Sequence, residues 1–145
     1  MSENKIKTVF DPIRQKEVPL TPEERVRQAF VHFLIHSLGY PSSRLANEYC
    51  ITMGKVQRRC DTVVFSPALK PLMVIEYKAP QVPISQEVID QAFRYNSVLK
   101  VPYILLTNGT QSVLYKVGYD GEKTTILRHI PTFSELENTQ MRNNE

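Results

Sequence analysis

The run Leu72-Met73-Val74-Ile75, closed by Glu76-Tyr77-Lys78, constrains the fold more than any other part of the chain. Four apolar residues without a polar interruption suit a strand buried on both faces. Side chains alternate along a strand, so Glu76 and Lys78 point one way and Tyr77 the other. A second apolar run, Thr62-Val63-Val64-Phe65, follows Arg59-Cys60-Asp61, and the turn-forming loop Ser66-Pro67-Ala68-Leu69-Lys70-Pro71 joins the two. Paired as a hairpin, the start of the earlier run lies beside the end of the later one. Asp61, Glu76 and Lys78 then meet at one end of a sheet. Charge on an exposed edge strand is ordinary, because it discourages pairing with other chains. At the end of a buried strand it is costly unless paired or bound to metal. Two carboxylates and an ammonium in that place suit a divalent cation and a phosphodiester.

The rest of the chain supplies the partners such a strand needs. Residues 9–20 read as an extended N-terminal arm with a turn. Thr21-Pro22-Glu23-Glu24 then opens a helix, with Thr21 as N-cap, Pro22 at the first helical position and Glu24 completing a capping box. Val26, Ala29, Phe30, Phe33, Leu34 and Leu38 fall at helical spacing, and Gly39 with Pro41 stops the helix. Leu45 to Met53 reads as a strand with Gly54 in a turn. After Lys78, the segment Ala79-Pro80-Gln81-Val82-Pro83 cannot continue a central strand or a helix. Ser85 caps a second helix through about Leu99, and Val101-Pro102 breaks it. Tyr103 to Thr107, Ser112 to Val117 and Thr124 to Leu127 read as strands separated by turns at Asn108-Gly109 and Asp120-Gly121. The tail from Glu137 to Glu145 is polar and is expected to fray, as is the stretch before Val9. The order is helix, three strands, helix, two strands. It predicts an α/β fold, a mixed sheet flanked by helices.

With 145 residues, one domain spanning 1–145 is expected, large enough to bury its apolar surface without staples. The net charge of +3 is a mild basic bias that does not by itself imply nucleic acid. No apolar run approaches the ~20 residues of a membrane span, and Met1 to Thr8 lacks the apolar core of a signal peptide. A cytoplasmic location is expected. Cys50 and Cys60, the two cysteines, lie in strand-like runs without a zinc-ligand pattern and are expected to be reduced, buried thiols.

Four blocks carry a resemblance: Thr21-Pro22-Glu23-Glu24-Arg25-Val26-Arg27-Gln28, Arg59-Cys60-Asp61, Val74-Ile75-Glu76-Tyr77-Lys78-Ala79-Pro80 and Gln91-Ala92-Phe93-Arg94-Tyr95. In this order and spacing they resemble the PD-(D/E)xK nuclease superfamily, and more narrowly the N-terminal nuclease domain of type I restriction enzyme R subunits. The last block is similar to the Gln-xxx-Tyr element of those subunits and of RecB-like nucleases. Cys60 stands where the superfamily name has proline, and no helicase motor accompanies the blocks.

The resemblance implies a restriction-endonuclease-like core and a DNA endonuclease that uses Mg²⁺, with Mn²⁺ as a substitute. Its partners would be DNA, restriction-modification subunits or a second copy of the chain. Phosphodiester cleavage needs a water made nucleophilic and charge neutralised on the phosphoryl oxygens, chemistry that a bound Mg²⁺ supplies. Mg²⁺ usually takes one or two carboxylates, with waters and substrate filling the rest. Asp61 and Glu76 fit, and the Tyr77 backbone carbonyl adds a third oxygen. Lys78 is assigned to orienting the attacking water and stabilising developing negative charge, with a literal base role left open. Gln91 and Tyr95 are i and i+4 and share a helix face. Gln91 is the stronger candidate for the site, because a glutamine on an apolar face needs a partner, whereas Tyr95 equally suits plain core. Glu23, placed on the inward face three and seven residues before Val26 and Phe30, is preferred over Glu24, which serves the cap. Both also suit ordinary first-turn acids. Lys55, Arg58, Arg59 and Arg94 are candidate phosphate contacts, against the plain alternative of a charged hairpin tip. His32 and His36, also i and i+4, lie opposite the apolar stripe and read as solvated.

Two other functions stay open: a DNA- or partner-binding module that keeps the fold without catalysis, and a nuclease acting on RNA or branched DNA. The full Asp, Glu and Lys set favours an enzyme over a module.

Overall fold

A computed structural model describes residues 6–143. The chain begins with a two-stranded hairpin, β1 (Thr8–Asp11) and β2 (Lys16–Pro19), followed by α1 (Pro22–His36). A six-stranded sheet is then laid down by β3 (Leu45–Met53), β4 (Val56–Phe65), β5 (Pro71–Tyr77), β6 (Tyr103–Thr107), β7 (Ser112–Lys116) and β8 (Thr125–Leu127). Its spatial order is the sequence order, and every neighbouring pair is antiparallel except β5–β6. A parallel pair needs a crossover, and α2 (Gln86–Leu99) supplies it. The last element, α3 (Phe133–Asn143), was not foreseen.

The two helices read from their caps start where the chemistry says. The Thr21 hydroxyl accepts the Glu24 N–H at 3.0 Å and the Ser85 hydroxyl accepts the Val88 N–H at 3.4 Å. β5 is buried on both faces: Leu72, Met73, Val74 and Ile75 are at most 8% exposed. One core layer joins Val26, Val31 and Leu34 of α1 and Phe133 and Leu136 of α3 to Ile75, Tyr77, Leu105 and Leu114. A second layer joins Leu99 of α2 and Val101 to Ile51, Cys60, Val63 and Val74. The sheet therefore has α1 and α3 on one face and α2 on the other. Alternation along β5 sends Tyr77 to the α1 side and Glu76 to the α2 side.

Four expectations need correction. The N-terminal arm is a paired hairpin, whose turn is held by the fully buried Asp11 carboxylate accepting the Ile13 and Arg14 N–H groups. From Glu137 the chain is helical to Asn143 instead of frayed, because Phe133 and Leu136 anchor the first turns of α3 in the core; 144 and 145 lie outside the described residues. Cys60 is buried, and burial pushes its thiol up to about 12, but Cys50 is exposed. Cys50 lies opposite Arg59 where β3 and β4 run on beyond β5, so nothing covers it. The buried stripe of α1 is Glu24, Val26, Arg27, Val31 and Leu34, whereas Ala29 and Phe33 face solvent. A buried ion pair occupies part of that stripe, and a count of apolar residues misplaces it. No helix among the described residues is long and apolar enough to cross a membrane.

Candidate active site

Asp61 lies at an irregular point of β4. Asn47 pairs with Thr62 and Tyr49 with Cys60, but Glu48, which should face Asp61, adopts a left-handed φ of +55°. Cys60 and Val63 both join the α2-side core although they are three apart, so strict alternation breaks at Asp61 and Thr62. On β5, Ile75 pairs with Thr62, which brings Glu76 level with Asp61 as the hairpin reading requires. The two carboxyl groups are close enough to share a hydrogen bond, and an Asp61 oxygen also accepts the Tyr77 N–H at 2.9 Å.

These residues border a cleft of about 210 Å³ between the end of β5 and α2, lined by Glu23, Arg58, Asp61, Glu76, Tyr77, Lys78 and Gln91, with Val88, Ala92 and Leu106 as its apolar wall. The Glu76 carboxyl is pushed up to about 8, first by burial and next by the negative charge of Asp61, while Arg58 and Lys78 act in the opposite direction. Two acids held this close in a poorly solvated place retain a proton unless a cation replaces it. That unsatisfied charge is what suits the pair to a divalent ion, and two carboxylates with oxygens from the backbone and water match the habits of Mg²⁺. No group of three His, Cys, Asp or Glu side chains converges on one point among the described residues. Lys78 lines the cleft and makes no salt bridge to another described residue.

The other candidates divide. Gln91 reaches the cleft from α2 and Glu23 from the first turn of α1, although both are largely exposed. Tyr95 does not line it. It is 38% exposed, so it is not core either, and its ring lies under the Arg58 guanidinium at 4.3 Å. Arg58 lines the cleft, and its guanidinium is bonded to Glu76 Oε1 at 2.9 Å. Arg59 points away, is 72% exposed and pairs with Glu48 at 3.0 Å. Lys55 lies in the β3–β4 turn and Arg94 on the outer face of α2, both exposed and outside the cleft. His32 and His36 are exposed with their rings 4.3 Å apart.

Behind Asp61 stands a charge network that the sequence reading missed. Glu24, expected outside, is buried and accepts from Arg27, Arg14 and Gln28. Arg27 also donates to Glu48 at 2.8 Å and to the backbone carbonyl of Asp61 at 2.7 Å. Asp11 pairs with Arg14 and accepts from Asn47, which in turn accepts from the Thr62 hydroxyl, and Thr62 takes the Tyr77 hydroxyl at 3.0 Å. Burial alone would raise the Glu24 carboxyl, but its hydrogen bonds from Arg27 and Arg14 outweigh that and hold it below its ordinary value. Arg27 sits three residues after Glu24, a legible helix spacing for ion pairs to which the sequence reading gave no role. A second cavity of about 350 Å³, bordered by Arg14 and Lys16, shares Glu23, Asp61 and Tyr77 with the cleft.

Residues 22–131 match the family described as type I restriction enzyme R protein N terminus. Among solved structures, a fragment assigned to an HsdR subunit of a type I restriction enzyme from Vibrio vulnificus YJ016 is 20% identical over 85% of this chain, with a TM-score of 0.60. This chain spans 26% of that one. A structure assigned to a DUF820 nuclease from Anabaena variabilis ATCC 29413 is 15% identical, covering 95% of this chain and 93% of that one, with a TM-score of 0.49. The HsdR fragment supports a restriction-endonuclease-like fold. No curated protein matches the chain.

Proposed function

Because the chain belongs to the family of type I restriction enzyme R protein N termini, we propose that it is a Mg²⁺-dependent endonuclease that hydrolyses DNA phosphodiester bonds. The observation that carries this reading is the Asp61–Glu76 pair, two carboxyls sharing one cleft with the Lys78 ammonium. Asp61 and Glu76 would hold the ion, with the Tyr77 carbonyl as a further oxygen. When bound, the ion would polarise the phosphoryl group and lower the pKa of a coordinated water.

The remaining work falls to this chain's own side chains. Lys78 donates to the attacking water or to a non-bridging phosphate oxygen, stabilising negative charge as it develops. Gln91, reaching over from α2, orients the same water or phosphate through its amide. Glu23 lines the cleft from α1, where its carboxylate would help to orient water. Tyr77 fixes Asp61 through its backbone N–H, and Arg27 fixes the Asp61 backbone from the other side. Arg59, Lys55 and Arg94, outside the cleft, have the chemistry to follow the DNA backbone, with the salt dependence that such contacts bring. In a cell the partners would be DNA and the other subunits of a restriction-modification system.

Plasmid DNA incubated with the protein and Mg²⁺ or Mn²⁺ should be nicked or linearised, and Asp61→Ala should abolish this while DNA binding persists. Binding without cleavage by the wild type, unaltered in Glu76→Ala, would make the chain a binding module. Faster cleavage of RNA or branched DNA than of duplex would redirect the substrate assignment.

A further inference from the structure

Arg58 occupies an unusual position for a residue of a charged β-hairpin. It comes from the part of β4 that runs on beyond β5, yet its guanidinium turns back onto the cleft. There it is held on two sides, by Glu76 Oε1 at 2.9 Å and by the face of the Tyr95 ring at 4.3 Å. Its side chain is 25% exposed, against 72% for the neighbouring Arg59. A planar guanidinium stacked on an aromatic face is pre-organised for a carboxylate in a way a lysine is not. The carboxylate it takes is one of the two assigned to the ion.

We propose that Arg58 is the built-in competitor of the divalent ion: seated on Tyr95, it occupies Glu76 Oε1 until an ion arrives and gives up that oxygen to it. The inference rests on the metal-site reading above, and it gives Tyr95 a task at the site although the ring does not line the cleft. A divalent ion and a guanidinium cannot both approach one carboxylate oxygen without mutual repulsion, so Arg58 lowers the apparent affinity for the ion. Once released, its fork is free for a phosphate oxygen beside the ion, so displacement and substrate binding favour each other.

The test is Mn²⁺ titration of the intact chain by calorimetry or by the ion's paramagnetic resonance, with no DNA present. Arg58→Gln should bind Mn²⁺ about tenfold more tightly than the wild type, as removal of a competing charge close to an ion implies at the effective dielectric of a partly buried site. Tyr95→Leu, at an exposed position that folding tolerates, should shift affinity the same way by a smaller factor, because it removes the seat and leaves the charge. Arg58→Lys should fall between the wild type and Arg58→Gln. Binding by the wild type that Arg58→Gln and Tyr95→Leu leave unchanged or weaken overturns the proposal and spares the metal site. Failure of the wild type and both variants alike to bind Mn²⁺ overturns the metal site and this proposal with it.

Discussion

Two clusters of charge lie back to back across the same few residues of β4 and β5, and they are built on opposite rules. On the α1 side, Asp11, Arg14, Glu24, Arg27 and Glu48 form a closed set in which each charge meets a partner of the other sign. Burial is tolerated there because hydrogen bonds outweigh desolvation, and Asp11 and Glu24 are held below their ordinary values. On the α2 side, Asp61 and Glu76 face each other at close range, and Glu76 is driven the other way by burial and by Asp61 although Arg58 pairs with it. The same residue types thus give a clamp in one place and an unsettled pair in the other. Pairing turns buried charge into structure, and adjacency of like charges turns it into demand for a cation. The two meet at Asp61, whose carbonyl is held by Arg27 and whose carboxylate borders the cleft.

Function and stability should therefore separate cleanly between the clusters. Asp61→Asn and Glu76→Gln should each reduce cleavage about a thousandfold or more, in the range lost when a group stabilising developing charge is removed, without lowering the melting temperature of the metal-free protein. Plasmid nicking and thermal melts on the same samples check this; a large loss of stability in either variant would put the open pair on the structural side. Arg27→Met should do the reverse first. It leaves Glu24 buried without its main partner, a change worth about 3 kcal/mol. That should appear as a drop of roughly 10 °C in melting temperature for a domain of this size, readable by urea or heat denaturation. Cleavage by the folded fraction should also fall, because the Asp61 backbone loses its anchor.

The open cluster was far more legible in the sequence than the closed one, for a physical reason. Asp61 and Glu76 belong to strands whose apolar runs and intervening loop fix pairing and register, and a period of two puts Glu76 and Lys78, one residue past β5, on the same side; the break in alternation at Asp61 left no mark in the sequence. Gln91 stood out as a glutamine on an otherwise apolar helix face, on a helix whose cap was visible in Ser85, although Tyr95 at i+4 does not line the cleft with it. The closed cluster is joined by side chains reaching across the fold: Asp11 to Asn47, Arg14 to Glu24, Arg27 to Glu48 and to the carbonyl of Asp61. No local period encodes such contacts, and buried charges imitate surface ones when only polarity is counted. Glu23 was preferred to Glu24 for its spacing to Val26 and Phe30, yet Glu24 is the one the network buries. The left-handed backbone at Glu48 left no mark either, since glutamate gives none of the signal that glycine does. In α3 the anchors are two residues, Phe133 and Leu136, ahead of a polar stretch, too few to stand out as an amphipathic helix.

The clusters should also answer pH in opposite directions. The Glu76 carboxyl in the fold holds its proton to about pH 8, against 4.5 in the ordinary case. Between those values the folded state carries more protons than the unfolded chain, so its stability falls as pH rises and levels off above about 8. For Asp11 and Glu24, lowered in the fold, the contribution is present above the ordinary carboxylate value and is lost as pH falls through the lowered one. The metal-free wild type should lose about 2 kcal/mol between pH 5 and pH 8 relative to Glu76→Gln, in keeping with a shifted acid that is mostly but not wholly shielded from water. Mn²⁺ should recover most of that loss at pH 8 and little at pH 5, where the proton already serves. Melting curves of the two proteins across this range, with and without the ion, decide it; parallel curves would mean that Glu76 is not the group in tension.

The smallest effect separates a charge that belongs to a cluster from one that only touches it. Arg59 pairs with Glu48, the same acid that Arg27 holds, yet its side chain is 72% exposed. An exposed pair gains little over its hydration and is screened by salt, so Arg59→Ala should change stability by less than about 0.5 kcal/mol. With Glu48 still held by Arg27, the backbone opposite Asp61 should keep its shape, and metal affinity should not move. DNA affinity is where a difference should appear: a modest weakening, with a shallower dependence on salt if the guanidinium meets a phosphate. A stability loss approaching that of Arg27→Met would extend the closed cluster out to the β3–β4 arm, and would mean that the arm is held by the network instead of projecting from it.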